Sequence, residues 1–206
     1  MPETGGRVYK MYKKQMKFQK IICLFSIIAS AVVFIYSLGV MTDLYDTLYS
    51  TMMNPYDLTQ TDVPGSLVYY YMQNFNRAFL LAAIGLILIS CFLYLTATHT
   101  RRKYYIGNYV AVALSLIANI AVAVWAHMDL EFYKALFLQV DFEALKKHAE
   151  MWNTYYTDST FWFDIHYAVF AFSVFVAVLL VVNAVWKSRL MKEERALLGT
   201  EGRAAA

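Results

Sequence analysis

Charged residues and cysteine are both scarce in this chain. Of its 206 residues, 16% are charged and 60% are hydrophobic, whereas a soluble domain usually carries about 25% charged residues. A soluble fold of this composition would lack the polar side chains that cover a surface. The two cysteines, Cys23 and Cys91, both lie in apolar stretches, so we expect no disulfide in the polar segments. The composition therefore excludes an ordinary soluble domain and a disulfide-stapled one.

Short catalytic motifs are missing as well. The chain has no Cys-x-x-Cys pair, no Gly-x-Ser-x-Gly, no His-Glu-x-x-His and no phosphate-binding loop. These are local signatures of redox, hydrolytic, metalloprotease and nucleotide chemistry. The deepest positions of the apolar stretches are also without acidic side chains. We therefore expect a protein that is not an enzyme and that carries no cofactor.

Long apolar runs are what the chain has in abundance. Four of them cover residues 21–41, 78–97, 109–126 and 161–186. Each is close to the ~20 residues that a helix needs to cross ~30 Å of hydrocarbon. The pattern predicts an all-α integral membrane protein, a four-transmembrane-helix bundle at residues 21–186. A basic lead-in (1–20) precedes it and a basic tail (187–206) follows it.

The charges are distributed unevenly between the connections. Most of the 18 basic residues fall in the lead-in, the middle connection and the tail, and most of the 15 acidic residues fall in the other two connections, 42–77 and 127–160. Because Lys and Arg are retained on the cytoplasmic side during insertion, both termini are expected in the cytoplasm. The outer loops have no cysteine and no glycosylation sequon, which favours a bacterial cytoplasmic membrane. The basic residues adjoin the span ends, so we expect them to contact the lipid bilayer and not nucleic acid.

Both outer loops are expected to be helical. The apolar period of the first span continues beyond Met41 through Leu44, Leu48 and Met52. The second loop has an amphipathic pattern from Leu130 to Trp152 without Pro or Gly. This second helix could lie flat on the membrane or dock on the other loop.

A stripe of small and polar residues follows one face of the third span. Its members are spaced by four and are Ala111, Ser115, Asn119 and Ala123, with His127 beyond them. Small residues let membrane helices approach closely, and Ser or Asn can bond across the contact. We interpret the stripe as a packing seam; the alternative is the wall of an ion-conducting path.

A second set of polar residues falls at the outer membrane boundary: Arg77, His127, Asp129, Asp164 and His166. Ionisable groups at the edge of a span suggest a function and a partner, and Arg77 with Asp164 is the expected ion pair. His127 and Asp129 are two residues apart, as are Asp164 and His166, so on a helix each pair points to opposite sides. One helix therefore cannot present both members of a pair to a metal, and a metal site would need residues from several helices. We expect instead a structural ion pair with solvated loop residues and no bound metal.

Three hypotheses about function remain. The first is a non-enzymatic accessory or assembly protein that contacts a protein, peptide or lipid through its aromatic, acidic outer loops. The second is a homo-oligomeric ion channel or small transporter whose pore is lined by the third span. The third is a metal- or proton-responsive membrane sensor built on His127, Asp164 and His166.

Overall fold

Four long helices account for most of the chain. In the computed structural model the described residues are 2–46, 53–54, 57–61, 63–98, 104–152 and 156–204. The helices are α1 (Pro2–Gly39), α2 (Val68–Thr98), α3 (Tyr104–Phe137), α4 (Phe142–Trp152), α5 (Phe161–Asp164) and α6 (His166–Ala204), and the strands are β1 (Met53–Asn54) and β2 (Asp57–Thr61).

The predicted all-α fold with four candidate membrane-spanning helices is confirmed. Among the described residues, four segments are long and apolar enough to cross a membrane: Lys13–Asp43, Val68–Ala97, Asn108–Phe137 and Phe161–Glu193. Each contains one of the four predicted runs. The described parts of the lead-in and the tail are helical, because α1 begins at Pro2 and α6 continues to Ala204.

The four long helices form a ring with two distinct ends. α1 packs against α2 and α6, and α3 packs against α2 and α6. At one end, here called the terminal end, Phe18 of α1 meets Trp186 of α6 with ring centroids 5.7 Å apart. At the other, the loop end, the hydroxyl of Tyr36 donates a hydrogen bond to the carbonyl of Trp162 at 2.7 Å. Neighbouring helices therefore run antiparallel, with both termini at one end.

Two helices extend well beyond the apolar runs at the loop end. α2 begins at Val68 and α3 ends at Phe137, where the runs begin at residue 78 and end at residue 126. At 1.5 Å per residue, α3 is about 50 Å long, against ~30 Å of hydrocarbon. The loop end of the bundle is therefore long enough to project out of the hydrocarbon layer.

The second connection folds back onto this projecting end. After α3 the chain turns and enters α4, whose Leu145 and Ala149 are buried. Gly65 has φ +81°, and a Cβ there would come within 2.7 Å of the Gln139 carbonyl. The Asp141 N–H donates to the Pro64 carbonyl at 3.1 Å. Val63, Val140 and Leu145 share one hydrophobic cluster with the bundle, and we call residues 63–67 and 138–152 the cap. The segment expected as one amphipathic helix from Leu130 to Trp152 is divided between the end of α3 and α4.

The described part of the first connection contains both helix and strand. Beyond the first span the described helical residues form a π-helix, Val40–Asp46, and the predicted positions Leu48 and Met52 lie outside the described residues. Strands β1 and β2 then pair antiparallel. The Pro at position 55 interrupts the helical period, because proline disfavours helix in the residue before it.

Candidate functional site at the loop end

The structure brings together two of the five outer-boundary residues, His127 and His166. His127 is half-buried on α3, and His166 is fully buried at the start of α6. Their Nδ1 and Nε2 atoms are 2.8 Å apart, and the ring centroids are 5.1 Å apart. The hydrogen bond between them links the third and fourth spans at the loop end.

A local irregularity in the fourth span orients His166. The short helix α5 stops at Asp164, and α6 begins after Ile165. His166 Nδ1 hydrogen-bonds to the carbonyl oxygen of Phe163. A carbonyl oxygen only accepts hydrogen bonds, so this contact requires a proton on Nδ1. In the neutral ring the lone pair of Nε2 then points toward His127.

Glu131 completes the cluster, and the sequence analysis missed it. It lies four residues after His127 on α3, so both side chains project from the same helix face. Its Oε1 lies 3.9 Å from His166 Nε2 and accepts a hydrogen bond from the Tyr167 hydroxyl at 2.8 Å. The signal that could have revealed it is this i, i+4 spacing. It was overlooked because the apolar run ends at residue 126, whereas the helix does not.

Asp164 is paired with Lys134 and not, as expected, with Arg77. The Lys134 ammonium lies 2.5 Å from Asp164 Oδ1, and the Thr160 hydroxyl donates to Oδ2 at 2.7 Å. Helix α3 continues to Phe137 and so places Lys134 beside the start of the fourth span, while Arg77 is exposed on α2. Asp129 stays outside the cluster because it is two positions from His127 on the helix.

Trp162 anchors the start of the fourth span next to the cluster. Its indole ring packs on Gly39, where a Cβ would lie only 2.1 Å from the ring. The indole N–H donates to the carboxylate of Asp43 on the π-helix. Gly39 is therefore required by a close approach, and this contact connects the end of α1 to the segment that carries Phe163 and His166.

The stripe on the third span lies on the packed side of α3. Ala111 and Ser115 are fully buried, and Ala123 packs against the core at the loop end. Asn119 is half-buried, and its Nδ2 donates to the Ser115 carbonyl at 2.7 Å. Three of the four positions therefore have the surroundings expected of a packing seam, and Asn119 lies at its edge.

The site as a whole is a set of Lewis bases held by two helices. Two imidazoles and one carboxylate can accept protons or coordinate a cation, and Tyr167 and the Phe163 carbonyl orient them. Comparison of the chain with protein-family models, with curated proteins and with solved structures finds no match.

Proposed function

We propose that this protein is a non-enzymatic accessory or assembly protein of a bacterial cytoplasmic membrane, and that its loop end contacts another membrane protein. Both termini lie in the cytoplasm and the cap faces outward. This orientation is supported by the concentration of Lys and Arg at the terminal end and in the middle connection.

The observation that carries the proposal is a group of exposed and half-buried aromatic side chains on the projecting end of α2 and α3. We call Tyr70, Tyr71, Phe132 and Tyr133 the aromatic patch. Tyr71 is 54% exposed and Phe132 is 59% exposed. The Tyr133 hydroxyl donates to the Tyr71 carbonyl at 3.1 Å, and its ring lies 5.7 Å from that of buried Phe75.

Such a patch is suited to binding a protein surface. Aromatic residues are enriched in the cores of protein interfaces, and anchors that are already ordered lose little conformational entropy on association. The patch is tied to the bundle core through Tyr133, so it is ordered before any partner arrives. A protein whose helices and cap form one packed unit can present this surface in a constant position.

The test compares exposed aromatic residues on two parts of the surface. The double variant Tyr71→Ala/Phe132→Ala removes the two most exposed rings of the patch. Phe92→Ala is the matched control, since Phe92 is 47% exposed on α2 within the apolar run. We expect the wild type and the control, purified in nanodiscs from native membranes, to form a complex of constant stoichiometry with one membrane protein, and the double variant to lose it.

Two other outcomes would contradict the proposal. A wild type that purifies as a single species without another protein would contradict the accessory role. A complex that survives in the double variant would show that the patch only anchors the bundle in the lipid headgroup layer.

A second candidate, the homo-oligomeric channel or transporter, is favoured by a groove on the outside of the bundle. The groove has a volume of about 140 Å³ and lies between α3 and α6. Asn119 is its one polar lining residue among Leu116, Ile120, Val174, Ala177, Val178 and Val181. Because aromatic rings fill the centre of one copy at the loop end, a conducting path would have to run between copies.

Asn119→Leu separates the channel from the packing seam. If copies of the chain conduct along this groove, the variant should lose ion flux in liposomes while keeping its unfolding temperature. If Asn119 only packs, the variant should change stability or oligomeric mass, and the wild type should show no flux above empty liposomes.

A further inference from the structure

The cluster at the loop end has the composition of a transition-metal site. The potential ligand atoms of His127, Glu131 and His166 all lie within 4.8 Å of one another. Two imidazoles and one carboxylate form a ligand set that zinc uses in proteins, with a fourth position left for water or another ligand. Two of the ligands come from one helical face and the third comes from a different helix, so the site is defined by tertiary structure.

The two observed distances between ligand atoms lie on either side of the distance that a bound ion would require. With metal–ligand bonds of about 2.0–2.1 Å, two ligand atoms of a tetrahedral site lie about 3.4 Å apart. The His127 Nδ1 to His166 Nε2 distance is 2.8 Å, and Glu131 Oε1 is 3.9 Å from the same Nε2. Movements of about half an ångström, within the reach of side-chain torsions, would bring both pairs to the required spacing.

His166 is already oriented as a ligand. Its Nδ1–H is donated to the Phe163 carbonyl, which leaves Nε2 as the donor atom. Metal-binding histidines almost always donate their second N–H to a carbonyl or carboxylate, which orients the ring and raises its basicity. Glu131 has a comparable support, because the Tyr167 hydroxyl bonds to its Oε1 at 2.8 Å.

Two carboxylates, those of Glu131 and Asp164, lie near the site together with one ammonium. Lys134 is the nearby ammonium, and its charge is offset by Asp164 at 2.5 Å. Glu131 is half-exposed, so the site can be reached from the loop end, whereas His166 is fully buried.

We propose that His127, Glu131 and His166 bind one divalent transition-metal ion, of which Zn²⁺ is the representative probe. The ion takes the place of the proton on His127 Nδ1 and links α3 to α6, and the neutral His127 ring then carries its proton on Nε2 after exchange with solvent. His127 binds through Nδ1, His166 through Nε2 and Glu131 through its carboxylate. This inference does not depend on the accessory role, since the aromatic patch and the metal ligands are different residues.

The experiment uses the full chain in nanodiscs after chelator treatment, with ZnCl₂ titrated calorimetrically and Co²⁺ as a spectroscopic probe. We expect one Zn²⁺ per chain with a micromolar or lower Kd. We also expect the intense visible absorption that tetrahedral Co²⁺ gives. Glu131→Gln, which alters a half-exposed side chain, should raise the Kd at least about tenfold, as should His127→Ala.

Asp129→Asn is the matched control. It removes a carboxylate from the same turn of α3 but from a different helix face, so its Kd should stay within about twofold of that of the wild type. The proposal is overturned if the wild type binds no Zn²⁺ at a free Zn²⁺ concentration of about 100 µM, which we take as the upper limit of the Kd for a specific site. It is also overturned if Asp129→Asn weakens binding as much as Glu131→Gln. The His166→Ala variant is included only if its unfolding temperature matches that of the wild type. If it does not match, the other variants provide the test.

Discussion

The two halves of the bundle are held together by different interactions. At the loop end, bulky rings fill the space between the helices. The ring centroid of Phe79 lies 5.8 Å from that of Tyr36 and 6.3 Å from that of Phe170. At the terminal end, buried side-chain amides connect the helices. Gln15 Nε2 donates both to Gln19 Oε1 at 3.0 Å and to Asn183 Oδ1 at 2.9 Å.

The two ends differ because different interactions stabilise helix packing inside the hydrocarbon layer and outside it. Within hydrocarbon there is no hydrophobic drive to join helices, so hydrogen bonds and close packing supply the association. The hydroxyls of Ser26, Ser30 and Ser90 do this between α1 and α2, at 2.8–3.0 Å. The rings of Tyr36, Phe79 and Phe170 also lie within the apolar runs, where close packing joins the helices. Beyond the runs, the ring centroids of Tyr69 and Phe137 lie 6.1 Å apart, and there burial of aromatic surface away from water is favourable.

The largest effect is expected at Gly39. A methyl group at Gly39→Ala would overlap the Trp162 ring, which is held by Asp43. Overpacking of this kind costs about 1–3 kcal/mol, so the unfolding free energy in detergent should fall by that amount. Gly85→Ala is the matched control, because nothing lies within 4 Å of the added Cβ, and it should change stability by less than about 1 kcal/mol. Equal losses in both variants would mean that the loop end is not packed as described.

An intermediate effect is expected at Asn183. Asn183→Leu keeps the volume but removes the acceptor of the Gln15 amide, leaving a buried polar group without this partner. Interhelical hydrogen bonds in membrane proteins contribute about 0.6 kcal/mol on average and up to about 1.7 kcal/mol, and we expect a loss near the upper value. Val182→Leu on the exposed face is the control. The unfolding free energy is measured by denaturant titration. An Asn183→Leu variant as stable as the wild type would contradict the claim that buried amides hold the terminal end together.

The smallest effect is expected at Ser90. Ser90→Ala removes a hydroxyl shared by Ser26 and Ser30, but Ser30 retains its bond to the Ser26 carbonyl at 2.9 Å. A loss of about 0.6 kcal/mol is therefore expected. A double-mutant cycle with Ser26→Ala measures the coupling. A coupling free energy of zero would mean that the hydrogen bonds between these serines do not stabilise the terminal half of the bundle.

The sequence predicted the four spans because hydropathy over twenty residues is a strong local signal. It also placed His127 and His166 in one set of polar residues at the outer boundary, but it did not predict their contact. It did not predict Glu131 or the Lys134–Asp164 pair, because both depend on α3 continuing to Phe137 after its apolar run has ended. The contact of Gly39 with Trp162 joins residues far apart in the chain, and no local pattern reports such a contact. The first connection was expected to be helical, but its described part includes a strand pair.

The central claim is that the cap is packed onto the bundle and holds the loop end in one conformation. Hydrogen–deuterium exchange of the protein in nanodiscs tests it directly, by following the amides of Ser66, Val140, Asp141 and Leu145, each of which donates a hydrogen bond in the cap. We predict exchange about 100-fold slower than in an unstructured peptide. We also predict that Gly65→Ala, whose Cβ would meet the Gln139 carbonyl, removes this protection while the spanning helices stay protected. Rapid exchange of these amides in the wild type would contradict the account.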